Sequence, residues 1–127
     1  SAIIVNSGAT IQNCIFENSE YYAISCQDSA QKASLIVKNS VFKNNWGGIG
    51  AQLKSLTVEQ STFTGNKECA IHMNSFSSTS FSIKDSTFTG NSAGALWADI
   101  EEGSGTIDNC IFNSNKIDLD LLSYYKK

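Results

Sequence analysis

The chain has 127 residues and a net charge of −3, with lysine as its only strongly basic residue and no proline. That length holds one domain, residues 1–127, and an acidic balance whose one basic cluster is Lys126-Lys127 argues against nucleic acid as a partner. No apolar run reaches the ~18 residues of a bilayer-crossing helix, so no direct membrane insertion is expected.

Taken in chain order, the elements predicted are short strands. Ala2 to Val5 reads as the last strand of a preceding coil; its start lacks Met and is too short for a signal peptide. Ala9 and Ile11, two apart and followed by Gln12, predict a strand buried on one face. Asn13 then turns the chain into a second strand at Cys14 to Phe16, and a third is centred on Ile24. The same order returns as Leu35/Val37, Ser40 to Phe42 and Ile49, then as Leu56/Val58, Ser61 to Phe63 and Ile71. It returns again as Phe81/Ile83, Ser86 to Phe88 and Leu96, and finally as Gly105/Ile107, Cys110 to Phe112 and Leu119.

The phenylalanines Phe16, Phe42, Phe63, Phe88 and Phe112 therefore recur after 26, 21, 25 and 24 residues. A fixed period of that size marks stacked repeats, each burying its apolar face on the next. The fold expected is all-β: a parallel β-helix solenoid of about five coils with three short strands per coil, the phenylalanines forming one axial pile. Three residues after the Phe stands Asn45, Asn66, Asn91 or Asn115, while the first copy carries Asn18 one place early and Ser19 in the slot. These are read as turn residues, because Asn tolerates left-handed angles and its amide can bond up and down the array. Loop variation is expected at one corner, in Gln27–Ser34, Asn74–Ser80 and Asp99–Ser104.

Neither end shows a polar cap, which predicts a slice of a longer solenoid, with adjoining coils or a partner covering the open ends. The alternative cap is Tyr124, Tyr125 and the two lysines. Disulfides are not expected: Cys14 and Cys110 hold one slot four coils apart, about 19 Å, and Cys26 and Cys69 are about 10 Å apart, against a limit of roughly 7 Å. The cysteines read as buried free thiols. The chain has no Asn-x-Ser/Thr sequon, which leans towards a bacterial surface.

Phe63-Thr-Gly-Asn66, Phe88-Thr-Gly-Asn91, Phe112-Asn-Ser-Asn115 and Phe42-Lys-Asn-Asn45 match an FxxN motif. Gly47-Gly48-Ile49, Gly94-Ala95-Leu96 and Cys69-Ala70-Ile71 match in part its partner, GGA followed by Ile, Leu or Val. In these motifs the chain resembles the polymorphic outer membrane protein repeat of chlamydial autotransporters, within the pectate-lyase-like superfamily. The resemblance implies a right-handed β-helix in a surface-displayed or secreted protein, often an adhesin.

Catalytic, cofactor and metal residues are not expected. The absence of arginine removes the commonest base of the lyases of this shape. Asp118 and Asp120 share a strand face about 7 Å apart, but are read as a solvated outer face. His72, the only histidine, is read as a surface residue without a triad partner. Asp99, Glu101 and Glu102 make an acidic loop without calcium-loop spacing. Thr62/Thr64 and Thr87/Thr89 repeat on only two coils, too few to template ice. The residues singled out as candidates for a partner-facing surface are Trp46, Trp97, Asp99, Glu101 and Glu102, against the plainer reading that both tryptophans pack on local loops. The expected function is a non-catalytic structural or recognition module, adhesin-like, on a cell surface or outside the cell, meeting a protein or a glycan. Two alternatives stand beside it: a carbohydrate-binding or carbohydrate-cleaving β-helix, which predicts aromatic and acidic side chains along one face, and a scaffold in an intracellular or ciliary assembly of a protist.

Overall fold

A computed structural model describes residues 3–28 and 32–122, and their side chains apart from those of 75–78, 101–102 and 122. The strands are β1 (Ile3–Val5), β2 (Ala9–Gln12), β3 (Ile15–Glu17), β4 (Tyr22–Gln27), β5 (Ser34–Lys38), β6 (Val41–Lys43) and β7 (Gly47–Gln52). They continue as β8 (Ser55–Glu59), β9 (Thr62–Thr64), β10 (Cys69–Lys84), β11 (Thr87–Thr89), β12 (Gly94–Asp108), β13 (Ile111–Asn113) and β14 (Leu119–Leu122). Among the described residues there is no helix. Each strand pairs in parallel with its equivalent one coil away, giving the expected solenoid of about five coils and three strands per coil.

The short strands β3, β6, β9, β11 and β13 form one wall, and their register sets each phenylalanine over the next. Ring centroids follow one another at 5.0, 4.5, 4.9 and 5.1 Å. That is close to the ~4.8 Å between paired strands, so backbone pairing and ring stacking ask for the same rise. Phe42, Phe63 and Phe88 are fully buried, whereas Phe112 has one stacking neighbour and is half-buried. Leu35, Val37, Leu56, Val58 and Ile83 face them from a second wall, and Ile24, Ile49, Ile71 and Leu96 from the third.

Ala23, Gly48, Ala70 and Ala95 precede those third-wall residues and are all buried. A β-carbon at Gly48 would stand 2.9 Å from Phe63 Cδ2 and collide with the Ala70 carbonyl. The small residue of the GGA-like motif is thus a packing requirement of the phenylalanine pile.

The corners differ in part from the sequence expectation. Asn13, Asn39, Gln60, Asp85 and Asn109 do turn the chain with positive φ. At the next corner the left-handed residue is Asn18, Asn44, Gly65, Gly90 or Ser114, one place before the recurring asparagine. Asn45, Asn66 and Asn91 instead point inward, completely buried. Asn66 Oδ1 accepts from the backbone N–H (3.1 Å) and side-chain amide (3.2 Å) of Asn45, and Asn66 Nδ2 donates to the Phe42 carbonyl (3.2 Å) and Asn91 Oδ1 (2.8 Å). The rungs above and below repeat the pattern through Asn91 and Asn115, down to the Ser19 N–H on Asn45 Oδ1. A second ladder runs beside it. The backbone N–H groups of Cys14, Ser40 and Ser61 donate to the hydroxyls of Ser40, Ser61 and Ser86 one coil on.

Two further expectations are corrected. The segments Asn74–Ser80 and Asp99–Ser104 are not loops: β10 and β12 run straight through them and pair with each other, with one register shift between Ser75 and Ser78. Two insertions of nearly equal length on adjacent coils satisfy their backbone groups on one another, the one extra residue of the first being absorbed at the register shift, which a lone loop could not do. All four cysteines are free, but only Cys26 and Cys69 are buried. Cys14 and Cys110 are half-buried because the first and last coils have one neighbour each.

Candidate recognition face

The outer face of the third wall carries an arrangement the repeat pattern did not announce. In register across β4, β7, β10, β12 and β14 stand Ser25, Gly50, His72, Trp97 and Asp120. A second outward row holds Tyr22 opposite Gly47. A β-carbon at Gly47 would collide with the Tyr22 ring, and one at Gly50 would lie 2.6 Å from its Cδ2. The two glycines therefore leave β7 bare, and Tyr22 lies flat across it. Its hydroxyl emerges on the far side, 2.8 Å from His72 Nδ1. The His72 ring stacks on Trp97 with centroids 4.2 Å apart and 9° between planes. On the other flank Trp46 meets Tyr22 edge-on at 5.2 Å and stacks on Tyr21 at 5.1 Å. Tyr21–Trp46–Tyr22–His72–Trp97 is thus one aromatic path across four coils, about 14 Å along the axis.

Burial of Tyr22 and the carboxylate of nearby Glu68 push its phenol well above the ordinary range, so it keeps its proton and acts as donor. Burial lowers His72, against the opposing pull of Glu68 and Asp99, so the imidazole is neutral. Nδ1 then accepts from Tyr22 and the ring proton rests on Nε2. The indole N–H of Trp97 is buried without a partner among the described residues. Hollows lined by described residues border the path. One of about 190 Å³ includes Tyr21, Gln52 and Asn74, and one of about 290 Å³ runs beside Trp46 and Lys67. Another, about 210 Å³, lies between Trp97 and Asp120.

The model of one protein family, the right-handed β-helix region, matches residues 1–125. The chain belongs to the right-handed β-helix family. No curated protein and no solved structure matches it.

Within this β-helix, Trp46, in the turn that enters β7, stacks on Tyr21 in the turn that enters β4, as the plainer reading has it, whereas Trp97 stacks on the strand residue His72; both belong to a single array. His72 faces outward, as expected, but is half-buried and held by Tyr22 and Trp97, since the bare strand lets a tyrosine reach it from two coils away. Asp99 lies near enough to raise the His72 proton affinity. The side chains of Glu101 and Glu102, and residues Tyr124 to Lys127, fall outside the described ones. Asp118 is exposed as expected, while Asp120 is half-buried beside Trp97 rather than fully solvated. Tyr21 and Tyr22 were missed by sequence reasoning. The available signal was Gly47, Gly48 and Gly50 in a strand otherwise built like its neighbours, since glycine inside a strand often marks the close approach of another group.

The His72 environment sets a pH dependence. Its folded value lies below the unfolded value of about 6.5, so the unfolded chain takes up the proton first as pH falls. The stabilisation is complete above pH ~6.5 and is lost as pH drops through the folded value. The urea midpoint of the protein is expected to fall from pH 7 to pH 5 by more than that of His72→Phe. Parallel pH profiles for the two proteins would contradict it.

Proposed function

We propose that this β-helix is a non-catalytic recognition module of a surface-displayed or secreted protein, and that the Tyr21–Trp97 face takes a glycan chain. One observation carries the reading: two stacked aromatic pairs, Tyr21–Trp46 at the turns that enter β4 and β7 and His72–Trp97 on β10 and β12, lie along one side of the solenoid. Sugar rings offer apolar C–H faces and a polar rim, which suits the exposed Tyr21 and the half-buried Trp46 and Trp97, with hydrogen-bonding side chains such as Gln52 and Asn74 nearby. The path spans a few sugar units, and no loop must close over it, so a long polymer can lie across the coils. The edge strands β1, β2 and β3 at one end and β13 and β14 at the other are places where an adjoining coil or partner chain would pair.

Trp46 and Trp97 are the only tryptophans, so intrinsic fluorescence reports directly on this face. Titration with oligosaccharides is expected to shift the emission. Trp97→Ala is expected to weaken binding by ten- to a hundredfold, the loss of about 1.4–2.8 kcal/mol at an aromatic anchor. Unaltered affinity in both Trp46→Ala and Trp97→Ala would overturn the site. Release of shortened sugar chains by the unmodified protein, lost in Asp120→Asn, would overturn the non-catalytic part.

A further inference from the structure

The hollow of about 210 Å³ at the Trp97 end differs chemically from the rest of the face. Trp97, Leu96 and Ile117 supply apolar wall, and Glu68 and Asp120 supply two carboxylates. Asp120 is the register neighbour of Trp97 on the next coil, so its side chain rises from the same outward row. Cys69 also lines the hollow, its thiol pushed up to about 11 by burial first and then by Glu68 and Asp120, which places both carboxylates against the same small space. Among the described residues neither carboxylate forms an ion pair, and no lysine lines the cavity. Two half-buried, unneutralised carboxylates next to an indole call for a cation, attracted both by charge and by the ring face. A bare metal ion would leave the apolar wall unused; an ammonium group on a sugar ring uses both the carboxylates and the wall.

We infer that this hollow is a subsite for a positively charged sugar, an amino sugar whose ammonium group sits between Glu68 and Asp120 with its ring against Trp97. The inference rests on the glycan reading of the face and narrows it. At about 210 Å³ the hollow is smaller than the ~300 Å³ at which pockets begin to hold drug-sized ligands, which limits it to one ring. The same carboxylates, together with Asp99, repel polyuronates: the face selects against acidic polysaccharides and for partly or wholly deacetylated amino-sugar polymers.

The test compares three oligosaccharides of equal length by titration calorimetry: a glucosamine oligomer with its amines protonated, its fully N-acetylated form, and an oligogalacturonate. The glucosamine oligomer is expected to bind about tenfold more tightly than the acetylated one, with a preference that shrinks as salt rises. Glu68→Gln and Asp120→Asn, both near-isosteric, are expected to bring its affinity down to that of the acetylated oligomer. Equal affinity for the charged and acetylated oligomers in the unmodified protein overturns the cationic subsite and leaves the glycan face standing. Tighter binding of the oligogalacturonate also overturns the subsite. Binding of none of the three overturns both readings. Calcium chloride alone, titrated into the same proteins, is the remaining arm: calcium binding lost in both variants makes the hollow a metal site and sinks the proposal.

Discussion

Asn66→Ala is expected to lower the unfolding free energy by about 4 kcal/mol, a large share of the ~5–15 kcal/mol that holds a domain of this size. The side chain is completely buried in the middle of the asparagine ladder. Removing it strands the backbone N–H of Asn45 and takes from the Phe42 carbonyl its side-chain donor. It also leaves one amide hydrogen of Asn45 and one lone pair of Asn91 without their partners. A buried polar group left unmade costs about 1–3 kcal/mol, and at least two groups here have no water to turn to. Asn66→Asp keeps an acceptor for Asn45 but brings a charge into the same dry position and loses both donors, so it is expected to be no milder. Asn115→Ala supplies the contrast. It is the last rung described and half-buried, so its loss is expected to cost about 1 kcal/mol. Urea unfolding followed by circular dichroism measures all three. Equal midpoint shifts at positions 66 and 115 would mean that the ladder does not carry the stability assigned to it.

That contrast bears on what could be read from the residues alone. The axial pile and the coil count were legible because each is a property of equivalent positions. Phe16 and Phe42 face one another for the same reason that Phe63 and Phe88 do, so five copies vote together. The buried role of Asn45, Asn66 and Asn91 was half legible. Hydrogen bonding along the array followed from the chemistry of the amide, but the left-handed turn belongs to the preceding residue, where Gly65 and Gly90 had already signalled it. The recognition face was hardly legible, because it is built from exceptions. Tyr22 reaches His72 only because Gly47 and Gly50, in the intervening coil, have no side chains in the way. No single repeat contains that contact, and no periodicity predicts it. The extension of β10 and β12 failed for a related reason: Asn74–Ser80 looks like a loop in isolation and becomes strand because Asp99–Ser104 lies beside it.

Phe63→Ala is expected to cost about 3–5 kcal/mol, the upper part of the range for emptying a buried site. A globular core recovers some of such a loss by collapsing around the hole. Here collapse is opposed on every side. The rings of Phe42 and Phe88 are held at 4.5 and 4.9 Å from Phe63 by strands whose own pairing sets the spacing. The neighbouring Gly48 brings the backbone of the next wall close by, but has no side chain to swing in. The cavity therefore persists between two intact stacks. In a linear array each coil is stabilised chiefly by its two neighbours, so a lesion at the central coil weakens the coupling of the halves as well as the whole. Unfolding of Phe63→Ala is expected to broaden, with a lower slope against urea, whereas Phe112→Ala, half-buried on the outermost strand of its wall, is expected to shift the midpoint slightly at unchanged slope. Phe63→Leu should recover most of the loss, since it refills volume without the stacked ring. If Phe63→Ala unfolds in one sharp transition displaced no further than that of Phe112→Ala, the central ring is not the keystone of the pile, and the stability must reside in the backbone ladders alone.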